Sequence, residues 1–421
     1  MENLYEIYRH HQQVCTDTRN IVPGCLFFCL KGEHFDGNQF VQQALEAGAA
    51  YVVTENEDFQ GHPNCIVVPD TLRALQDLAH EYRKRLTISV IGITGTNGKT
   101  TTKELIATVL RTKYKVACTQ GNFNNHIGVP LTLLSIPLDA EIAIVEMGAN
   151  HVGEIAELCK IVEPTHGVIT NIGKAHLEGF GSYDNIIKTK SALFKSVISN
   201  YGTLFLNGGD DVVQCCAGIY PHQVAYGNCP HSVCVGFIEK MDPYLSVRIA
   251  DYVFSTHLTG EYNLNNILCA IAVGDYFNID KVTAAQAISN YQPTNHRSQI
   301  EHVGEHIVIA DYYNANPTSM EAALRNLAHL SHPHKVAILG DMLELGDSSH
   351  EEHQRMIAIC KEANFETYLV GEQFTEVSDG TFPTFPNVEA LNVFFKSHPL
   401  SAAMILVKGS RGIHLEQVHI L

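Results

Sequence analysis

The segment VIGITGTNGKTTTKE at residues 90–104 constrains the fold of this chain more than any other. It begins as a β-branched apolar run typical of a buried strand, contains Gly92, Gly95 and Gly98, and resumes as helix-compatible sequence. Glycine is required where backbone amides must turn toward phosphate oxygens without a Cβ in the way, and the N-terminus of the following helix favours negative charge. This order therefore predicts a phosphate-binding loop.

The same segment suggests roles for the residues that follow its last glycine. Lys99 would reach the β- and γ-phosphates of a nucleotide, and Thr100 would offer its hydroxyl to magnesium. The loop is a variant of the usual GxxxxGK spacing, because Ile93 occupies the position of the first glycine. A glycine-rich turn without a ligand is the alternative, but strand, glycines, GKT and helix in this order favour ATP or GTP. The predicted nucleotide-binding residues here are Gly95, Thr96, Asn97, Gly98, Lys99, Thr100 and Thr101.

The charge of the chain limits how such an anionic ligand is held. Its 28 Lys and Arg residues against 45 Asp and Glu residues give a formal net charge of −17. That charge disfavours nucleic acid and anionic membranes as partners, so local groups must bind the phosphates. The sequence contains no signal-like N-terminus, no stretch near about 18 apolar residues and no paired CxxC spacing. We expect a cytoplasmic protein without a membrane span, whose cysteines are buried thiols.

The length of 421 residues exceeds what one hydrophobic core supports, which predicts about two or three domains. Short apolar runs, and an amphipathic stretch ended by Gly48, predict a small α/β domain at residues 1–85. Strand-like runs then alternate with helical segments, the pattern of a parallel sheet covered on both faces. The predicted fold class is α/β with three domains: this N-terminal domain, a central P-loop parallel-sheet ATPase domain at residues 86–295, and a Rossmann-like C-terminal α/β domain at residues 296–421.

A phosphate loop alone does not distinguish a kinase, a motor, a regulatory GTPase and a ligase. Glu146 ends the apolar strand of EIAIVEMG, a position from which a carboxylate can hold magnesium beside a triphosphate. His176 lies in a glycine-rich stretch after the strand of THGVITNI, and Lys188 and Lys190 lie on the next helix. Such residues are more often structural or solvated when they occur singly, so their positions alone leave their roles open.

Eight motifs along the chain are TGTNGKTTTKE, EMGANHVGEI, NIGKAHLEGFGS, KTKSALF, GEYNLNN, DYYNANPTS, ILGDMLELG and VKGSRG. They occur in the order found in the Mur ligases of peptidoglycan synthesis, and the chain resembles that family from residue 16 almost to its C-terminus. Mur ligases use ATP to phosphorylate a substrate carboxylate, and an amine then attacks the acyl phosphate to form an amide. DYYNANPTS with LGDMLELG is most similar to the members that add D-alanyl-D-alanine to UDP-N-acetylmuramoyl-tripeptide (UDP-MurNAc-tripeptide). The resemblance implies those two substrates, ATP and magnesium, and we expect a monomer.

The resemblance also implies the catalytic residues, which are Lys99, His176 and Lys190. Lys99 and Thr100 would bind the triphosphate and one magnesium ion, with Glu146 as a further metal ligand. His176 would hold a second magnesium ion near the acyl-phosphate oxygens. Lys190 would be carbamylated, which turns a cation into a carboxylate-like anion that helps to position this second ion.

Other segments imply the remaining ligand contacts. Asn263 and Asn266 resemble the adenine-side asparagines of the family. Tyr262, beside them, stands where many relatives carry histidine. The alternative role of the two asparagines is helix capping. Lys408 and Arg411 of VKGSRG could face the anionic substrate or nucleotide. LKGEHFDG would help to hold the UDP group. The nucleotide contacts implied by the C-terminal domain are Arg297 and Asp311, and the implied substrate contacts are Asp17, Thr18, Arg19, Asn124, Asn125, Tyr313, Asn314 and Asn316.

Three other functions remain open from the sequence. Another Mur-type ligase would add a different amino acid, and a folylpolyglutamate synthase has similar central motifs. The UDP-type N-terminal segment argues against folate, and DYYNANPTS argues against the single-amino-acid Mur enzymes. A P-loop GTPase switch would need a guanine motif such as NKxD, which the sequence lacks, and would not need the additional metal ligands.

Overall fold

The computed structural model describes residues 2–32 and 35–420, and its sheets divide the chain into three units. The N-terminal unit has a four-stranded parallel sheet in the order β1-β2-β3-β4. Gly48 adopts φ +98° just after α2 and ends this helix as predicted. The elements of the unit are α1 (Glu2–His10), β1 (Val14–Cys15), β2 (Leu26–Phe28), α2 (Val41–Glu46), β3 (Tyr51–Thr54), β4 (Cys65–Val67) and α3 (Thr71–Arg85).

The central unit is built on a six-stranded, all-parallel sheet in the order β10-β9-β8-β5-β7-β6. The strand that leads into the phosphate loop, β5, is therefore an inner strand of this sheet. The sheet and its helices comprise β5 (Ser89–Thr94), α4 (Lys99–Leu110), β6 (Val116–Cys118), α5 (Gly128–Leu134), β7 (Ile142–Glu146), α6 (Glu154–Val162), β8 (His166–Ile169), α7 (Leu177–Phe180), α8 (Tyr183–Ser199), β9 (Thr203–Asn207), α9 (Asp211–Ala217) and β10 (Gln223–Tyr226).

A small antiparallel sheet and two helices complete the central unit. The three strands follow one another in the order β11-β12-β13, and they form the β-rich stretch expected from the sequence. The elements are β11 (Gly236–Met241), β12 (Leu245–Ile249), β13 (Tyr252–Ser255), α10 (Asn263–Tyr276) and α11 (Lys281–Asn290). Helix α10 packs against α4, so it lies beside the helix that begins at the phosphate loop.

The C-terminal unit has a six-stranded sheet in the order β14-β15-β19-β16-β17-β18. All its pairs are parallel except β14 with β15. Its elements are β14 (Gln299–Val303), β15 (His306–Asp311), α12 (Pro317–His329), β16 (Lys335–Gly340), α13 (Ser349–Ala363), β17 (Glu366–Val370), α14 (Glu372–Val377), β18 (Thr384–Phe385), α15 (Val388–Ser397) and β19 (Met404–Lys408). The predicted α/β class with a central parallel sheet is thus confirmed. The domain boundaries stay predictions, although α3 ends at Arg85 and β14 begins at Gln299.

The three units are joined differently. The N-terminal and central units share one hydrophobic core, in which Leu75 and Leu78 of α3 belong to the same buried cluster as Leu133 of α5 and Leu158 of α6. The C-terminal unit has cores of its own on the two faces of its sheet. Its contacts with the central unit that are described below are hydrogen bonds between polar groups of side chains and backbone. Among the described residues, every helix is too short or too polar to cross a membrane.

His166, the first residue of β8, gives a test of the central core. Its side chain is buried against the rings of Phe205, Tyr276 and Phe277, and burial lowers its pKa to about 4. The unfolded chain binds this proton near the ordinary histidine value of about 6.5. Since unfolding then takes up a proton, the free energy of unfolding should fall by up to about 3 kcal/mol as the pH drops from about 6.5 to about 4.

His166→Gln removes this titration and should flatten the acid side of the stability curve. Urea unfolding of the wild type and the variant at pH 7.5 and pH 5 measures the difference, with His222→Gln, a change at an exposed histidine, as the control. An identical loss of stability on acidification in wild type and His166→Gln would show that another group causes the loss.

Candidate active site

The phosphate loop takes the conformation that its glycines were expected to provide. Gly95 has φ +149° and Gly98 has φ +79°, and α4 begins at the next residue. A Cβ on Gly95 would lie 1.9 Å from Oγ1 of Thr170, and one on Gly98 would lie 2.8 Å from Oδ1 of Asn266. Both positions therefore require glycine for space as well as for backbone conformation. The loop is also fixed from β8, because the amide of Asn97 donates to Oδ1 of Asn171 (3.0 Å).

Two lysine side chains meet at one carbonyl of this loop. Nζ of Lys99 donates to the carbonyl of Gly95 (2.8 Å) and to that of Thr96 (3.0 Å). Nζ of Lys190, which reaches over from α8, donates to the same Gly95 carbonyl (3.0 Å). Burial lowers the pKa of Lys99 to about 8, and burial together with the charge of Lys99 lowers the pKa of Lys190 well below its usual range. The two amines thus lie close together beside the phosphate loop.

Glu146 ends β7 beside the first turn of α4 and is 1% exposed. Its Oε1 accepts hydrogen bonds from Oγ1 of Thr100 (3.2 Å) and from Nδ2 of Asn124 (2.9 Å). Within the described part of the chain, Oε2 is buried without a hydrogen-bond partner. A buried carboxylate oxygen without a partner is costly. A cation beside Thr100 would satisfy it, so the residues present fit magnesium.

The rest of a magnesium shell would have to come from the nucleotide. Among the residues described, no group of three or more His, Cys, Asp and Glu side chains is arranged to hold a metal ion. Magnesium is commonly bound by one or two carboxylates together with phosphate oxygens and water, rather than by a cage of protein ligands. The pair of Thr100 and Glu146 agrees with that mode of binding.

His176 immediately precedes α7 in a left-handed backbone conformation (φ +51°). Its Nδ1 is hydrogen-bonded to Oε2 of Glu344, a residue of the C-terminal unit in the LGDMLELG segment. The hydrogen bond from His176 lowers the pKa of the Glu344 carboxyl. Glu344 is a site residue that the sequence interpretation did not identify.

The C-terminal unit also touches the phosphate loop directly. Nδ2 of Asn316 donates to Oδ1 of Asn97 (2.8 Å), while Oδ1 of Asn316 accepts from the amide of Ser319 and caps α12. Asn316 was predicted to face a peptide substrate, and in this structure it joins the two units. The guanidinium of Arg297 lies over the ring of Tyr313, 3.8 Å from its centroid.

Lys408 supports the loop that carries Tyr313 and Asn314. It is 2% exposed at the end of β19, and its Nζ donates to Oδ2 of Asp311 (2.7 Å) and to the carbonyl of Asn314 (3.1 Å). The carboxylate of Asp311 also accepts from the amide of Ser298 (3.1 Å). Lys408 and Asp311 thus form an ion pair inside the C-terminal unit.

The predicted adenine-side asparagines are linked to α4 by hydrogen bonds. Nδ2 of Asn266 donates to Oδ1 of Asn263 (2.9 Å), and Oδ1 of Asn266 accepts from Oγ1 of Thr102 (3.0 Å). Nδ2 of Asn263 donates to the carbonyl of Thr259 (2.8 Å). Tyr262, the variant position, shares a hydrogen bond with Oγ of Ser298 in the C-terminal unit (2.6 Å).

These groups surround one cavity of about 1460 Å³ between the three units. Gly95 and Thr100 are each hydrogen-bonded to a residue that lines the cavity. The carbonyl of Gly95 accepts from Lys190, and the hydroxyl of Thr100 donates to Glu146. The predicted site residues that line the cavity are Thr96, Asn97, Gly98, Lys99, Thr101, Asn124, Asn125, Glu146, His176, Lys190, Asn263, Asn266, Arg297, Asp311, Tyr313, Asn314, Asn316, Lys408 and Arg411.

The predicted UDP contacts in the N-terminal unit do not line this cavity. The guanidinium of Arg19 is largely exposed and paired with the carboxylate of Asp17 (2.7 Å), two residues before it. Thr18 lies between them at the start of a short 3-10 helix. Of the LKGEHFDG segment, Glu33 and His34 lie outside the described residues. The site on this unit stays a prediction.

Two residues of the site were missed from the sequence although a signal for one of them was present. Asn171 lies two residues after the end of the apolar strand β8, and polar residues at the carboxyl ends of parallel strands often lie at ligand sites. Glu344 carries no such signal, because its partner His176 is 168 residues away in the chain.

Comparisons with known proteins place each unit in one family. The model described as "Mur ligase family, catalytic domain" matches residues 10–83, "Mur ligase middle domain" matches residues 93–274, and "Mur ligase, glutamate ligase domain" matches residues 296–411. The UDP-N-acetylmuramoyl-tripeptide--D-alanyl-D-alanine ligase of Bacillus subtilis is 36% identical, over 96% of this chain and 92% of the relative. The corresponding ligase of Rickettsia prowazekii is 30% identical, over 96% of this chain and 94% of the relative.

Solved structures agree with these matches. A crystal structure of MurF from Acinetobacter baumannii superposes with a TM-score of 0.87 and 28% identity, over 99% of this chain and 96% of that one. A MurF ligase from Thermotoga maritima in complex with ADP superposes with a TM-score of 0.84 over 99% of this chain and 97% of that one. At 24% identity, this second likeness shows the shared fold alone.

Proposed function

The chain belongs to the Mur ligase family, and we propose that it is the ATP-dependent ligase that adds D-alanyl-D-alanine to UDP-MurNAc-tripeptide. The product is UDP-MurNAc-pentapeptide, a precursor of peptidoglycan. The observation that carries the proposal is the cavity of about 1460 Å³ that residues of all three units line. Its wall contains the phosphate loop, Glu146, His176 and Lys190 on one side and the Tyr313–Asn316 loop on the other.

The reaction needs two chemical steps in the same cavity, a phosphoryl transfer and then the formation of the amide bond. A carboxylate oxygen of the tripeptide attacks the γ-phosphorus of ATP, and ADP leaves with the electrons of the broken P–O bond. The amine of D-alanyl-D-alanine then attacks the acyl carbon, phosphate leaves, and the nitrogen loses a proton. A carboxylate and an amine do not condense directly in water, because the oxygen that must leave is a poor leaving group, whereas phosphate is a good one.

The residues of the phosphate loop bind ATP for the first step, the phosphoryl transfer. Backbone amides of the loop and the N-terminus of α4 face the triphosphate, and Lys99 turns from the carbonyls of Gly95 and Thr96 toward the phosphate oxygens. Asn263 and Asn266 hold the adenosine end, and Arg297 and Asp311 close over the nucleotide from the C-terminal unit. Most of the acceleration expected from such a site comes from orientation of the reactants and stabilisation of developing negative charge.

Magnesium ions, when bound, would neutralise the negative oxygens that gather as the phosphoryl group moves. Thr100 and Glu146 would hold one ion, and the unpartnered Oε2 of Glu146 supports this assignment. His176 and carbamylated Lys190 would hold the second.

The surroundings of Lys190 support its proposed carbamylation. Lys190 is 3% exposed, and burial together with the charge of Lys99 lowers its pKa, which favours the uncharged amine, the form that attacks carbon dioxide. The product is a carbamate anion and one released proton. The negative carbamate would then lie beside Lys99 and attract its ammonium group.

The remaining parts of the proposal concern the whole molecule. Residues 1–85, 86–295 and 296–421 would act as three domains, of which the first binds the UDP group through Asp17, Thr18 and Arg19. Asn124, Asn125, Tyr313, Asn314 and Asn316 would contact the peptide substrates. We expect a monomer that works in the cytoplasm, where the nucleotide-linked precursors are made.

The test is phosphate release from ATP with purified protein, magnesium and UDP-MurNAc-tripeptide, with and without D-alanyl-D-alanine. Turnover should require both substrates, and mass spectrometry should find the pentapeptide product. A single D-amino acid or a folate in place of the dipeptide should give no product. ATP consumption without a longer muropeptide would contradict the proposed function, and binding of GTP in preference to ATP would favour a switch.

A further inference from the structure

Glu344 and His176 form a contact between the C-terminal and central units at the wall of the cavity. Resting on the proposed ligase function, we propose that Glu344 is a positioning residue. It fixes the ring of His176 in its working orientation, and it does so only when the C-terminal unit is closed against the central unit.

The two residues are brought together by segments with unusual backbone conformations. His176 has φ +51° and Glu344 has φ +64°, a region that non-glycine residues rarely occupy. The amide of Glu178 donates to the carbonyl of Glu344 (3.4 Å), so the backbones of the two segments are also in contact. Such conformations persist where the surrounding structure enforces them, and they are frequent at functional sites.

The hydrogen bond determines what the other ring nitrogen offers. A carboxylate only accepts, so Nδ1 of His176 carries the proton that is donated to Glu344. A ring that carries only this proton has its free lone pair on Nε2. Histidines that bind cations commonly donate their other ring N–H to a carboxylate, which fixes both tautomer and ring orientation.

The residues just before Glu344 are held by hydrogen bonds within the C-terminal unit. The amide of Leu343 donates to Oγ of Ser410 (2.9 Å), and the amide of Met342 donates to Nε2 of His353 (3.0 Å). The loop is therefore tied to the unit that carries it and moves with that unit. Interfaces made of polar contacts, like this one, ordinarily allow relative motion of domains. When the units separate, His176 loses the partner that orients it.

Three variants test this role in the full-length protein: Glu344→Ala, Glu344→Gln and, as the control, Glu351→Gln at an exposed glutamate in the first turn of α13. Glu344→Ala should lower kcat about 10- to 100-fold and leave KM for ATP within about two-fold, because a partner that orients a ligand is lost while the nucleotide contacts remain. Glu344→Gln should retain more activity than the alanine variant, since its amide oxygen still accepts from Nδ1.

Hydrogen exchange provides a readout that does not depend on turnover. With a non-hydrolysable ATP analogue and magnesium, amides 176–181 should exchange about ten-fold faster in Glu344→Ala than in wild type, because their restraint from the C-terminal unit is lost. Glu351→Gln should match wild type in both assays.

Wild-type kcat and exchange in Glu344→Ala would overturn the positioning role, as would an equal loss in Glu351→Gln. Equal losses in Glu344→Ala and Glu344→Gln would also overturn it. Failure of the ligase function itself looks different, because the wild type would then make no pentapeptide.

Discussion

Replacing Lys190 with alanine is expected to lower ligase turnover about 10²- to 10³-fold, the loss found when one stabilising group is removed from a site of developing negative charge. The side chain is buried beside the phosphate loop, and its Nζ donates to the Gly95 carbonyl. Its carbamate would supply a second anion near Lys99, in addition to the carboxylate of Glu146. Phosphate release with both substrates present measures the loss.

The same variant allows chemical rescue, because alanine leaves space where the carbamate stood. A short carboxylate such as acetate or propionate, added at high concentration, should restore part of the activity of Lys190→Ala. It should have no such effect on the wild type. Rescue by a carboxylate distinguishes the need for an anion from the need for the lysine amine.

The matched control is Lys188→Ala, a change on the same helix two residues earlier, where the side chain is exposed. It should keep near wild-type turnover. Wild-type rates in Lys190→Ala would eliminate the carbamate role. Inactivity without rescue by any anion, in a variant that still unfolds cooperatively, would assign Lys190 a role as an amine instead.

The parts of this fold that the sequence predicted are those with local causes. Strand β5 and the turn after it follow from β-branched residues and from glycines whose positive φ no other residue adopts easily. The strands β7, β8, β15, β16 and β19 follow in the same way from short apolar runs between turns. Glu146 could be proposed as a ligand because it ends such a run beside the phosphate loop.

Contacts between distant segments could not be predicted in this way. The meeting of Lys99 and Lys190 at one carbonyl depends on how α8 packs across the sheet, 95 residues after Gly95. The bond between Asn316 and Asn97 joins residues 219 positions apart. The sequence shows Asn316 only as an asparagine that precedes a proline. In the structure it caps α12 and also contacts Asn97 of the central unit. Such pairs arise from tertiary packing, which no local pattern encodes.

Replacing Lys99 with alanine is expected to lower turnover about 10³-fold or more, because the loop loses the cation that reaches the phosphates undergoing transfer. The protein should still bind UDP-MurNAc-tripeptide with an affinity near that of the wild type. Calorimetric titration with the sugar nucleotide and with an ATP analogue separates the two effects. Burial lowers the pKa of Lys99 to about 8, so ATP binding to the wild type should also weaken as the pH rises above that value.

Two controls make the result specific to the phosphates. Lys195→Ala removes an exposed lysine from α8 and should behave as wild type. Lys99→Arg keeps the charge but replaces a compact ammonium with a planar guanidinium, and it should recover only part of the activity because the loop is shaped around the smaller group. Loss of sugar-nucleotide binding together with ATP binding in Lys99→Ala would point to misfolding of the shared core. Full activity of that variant would mean that the loop holds the triphosphate through its backbone amides alone.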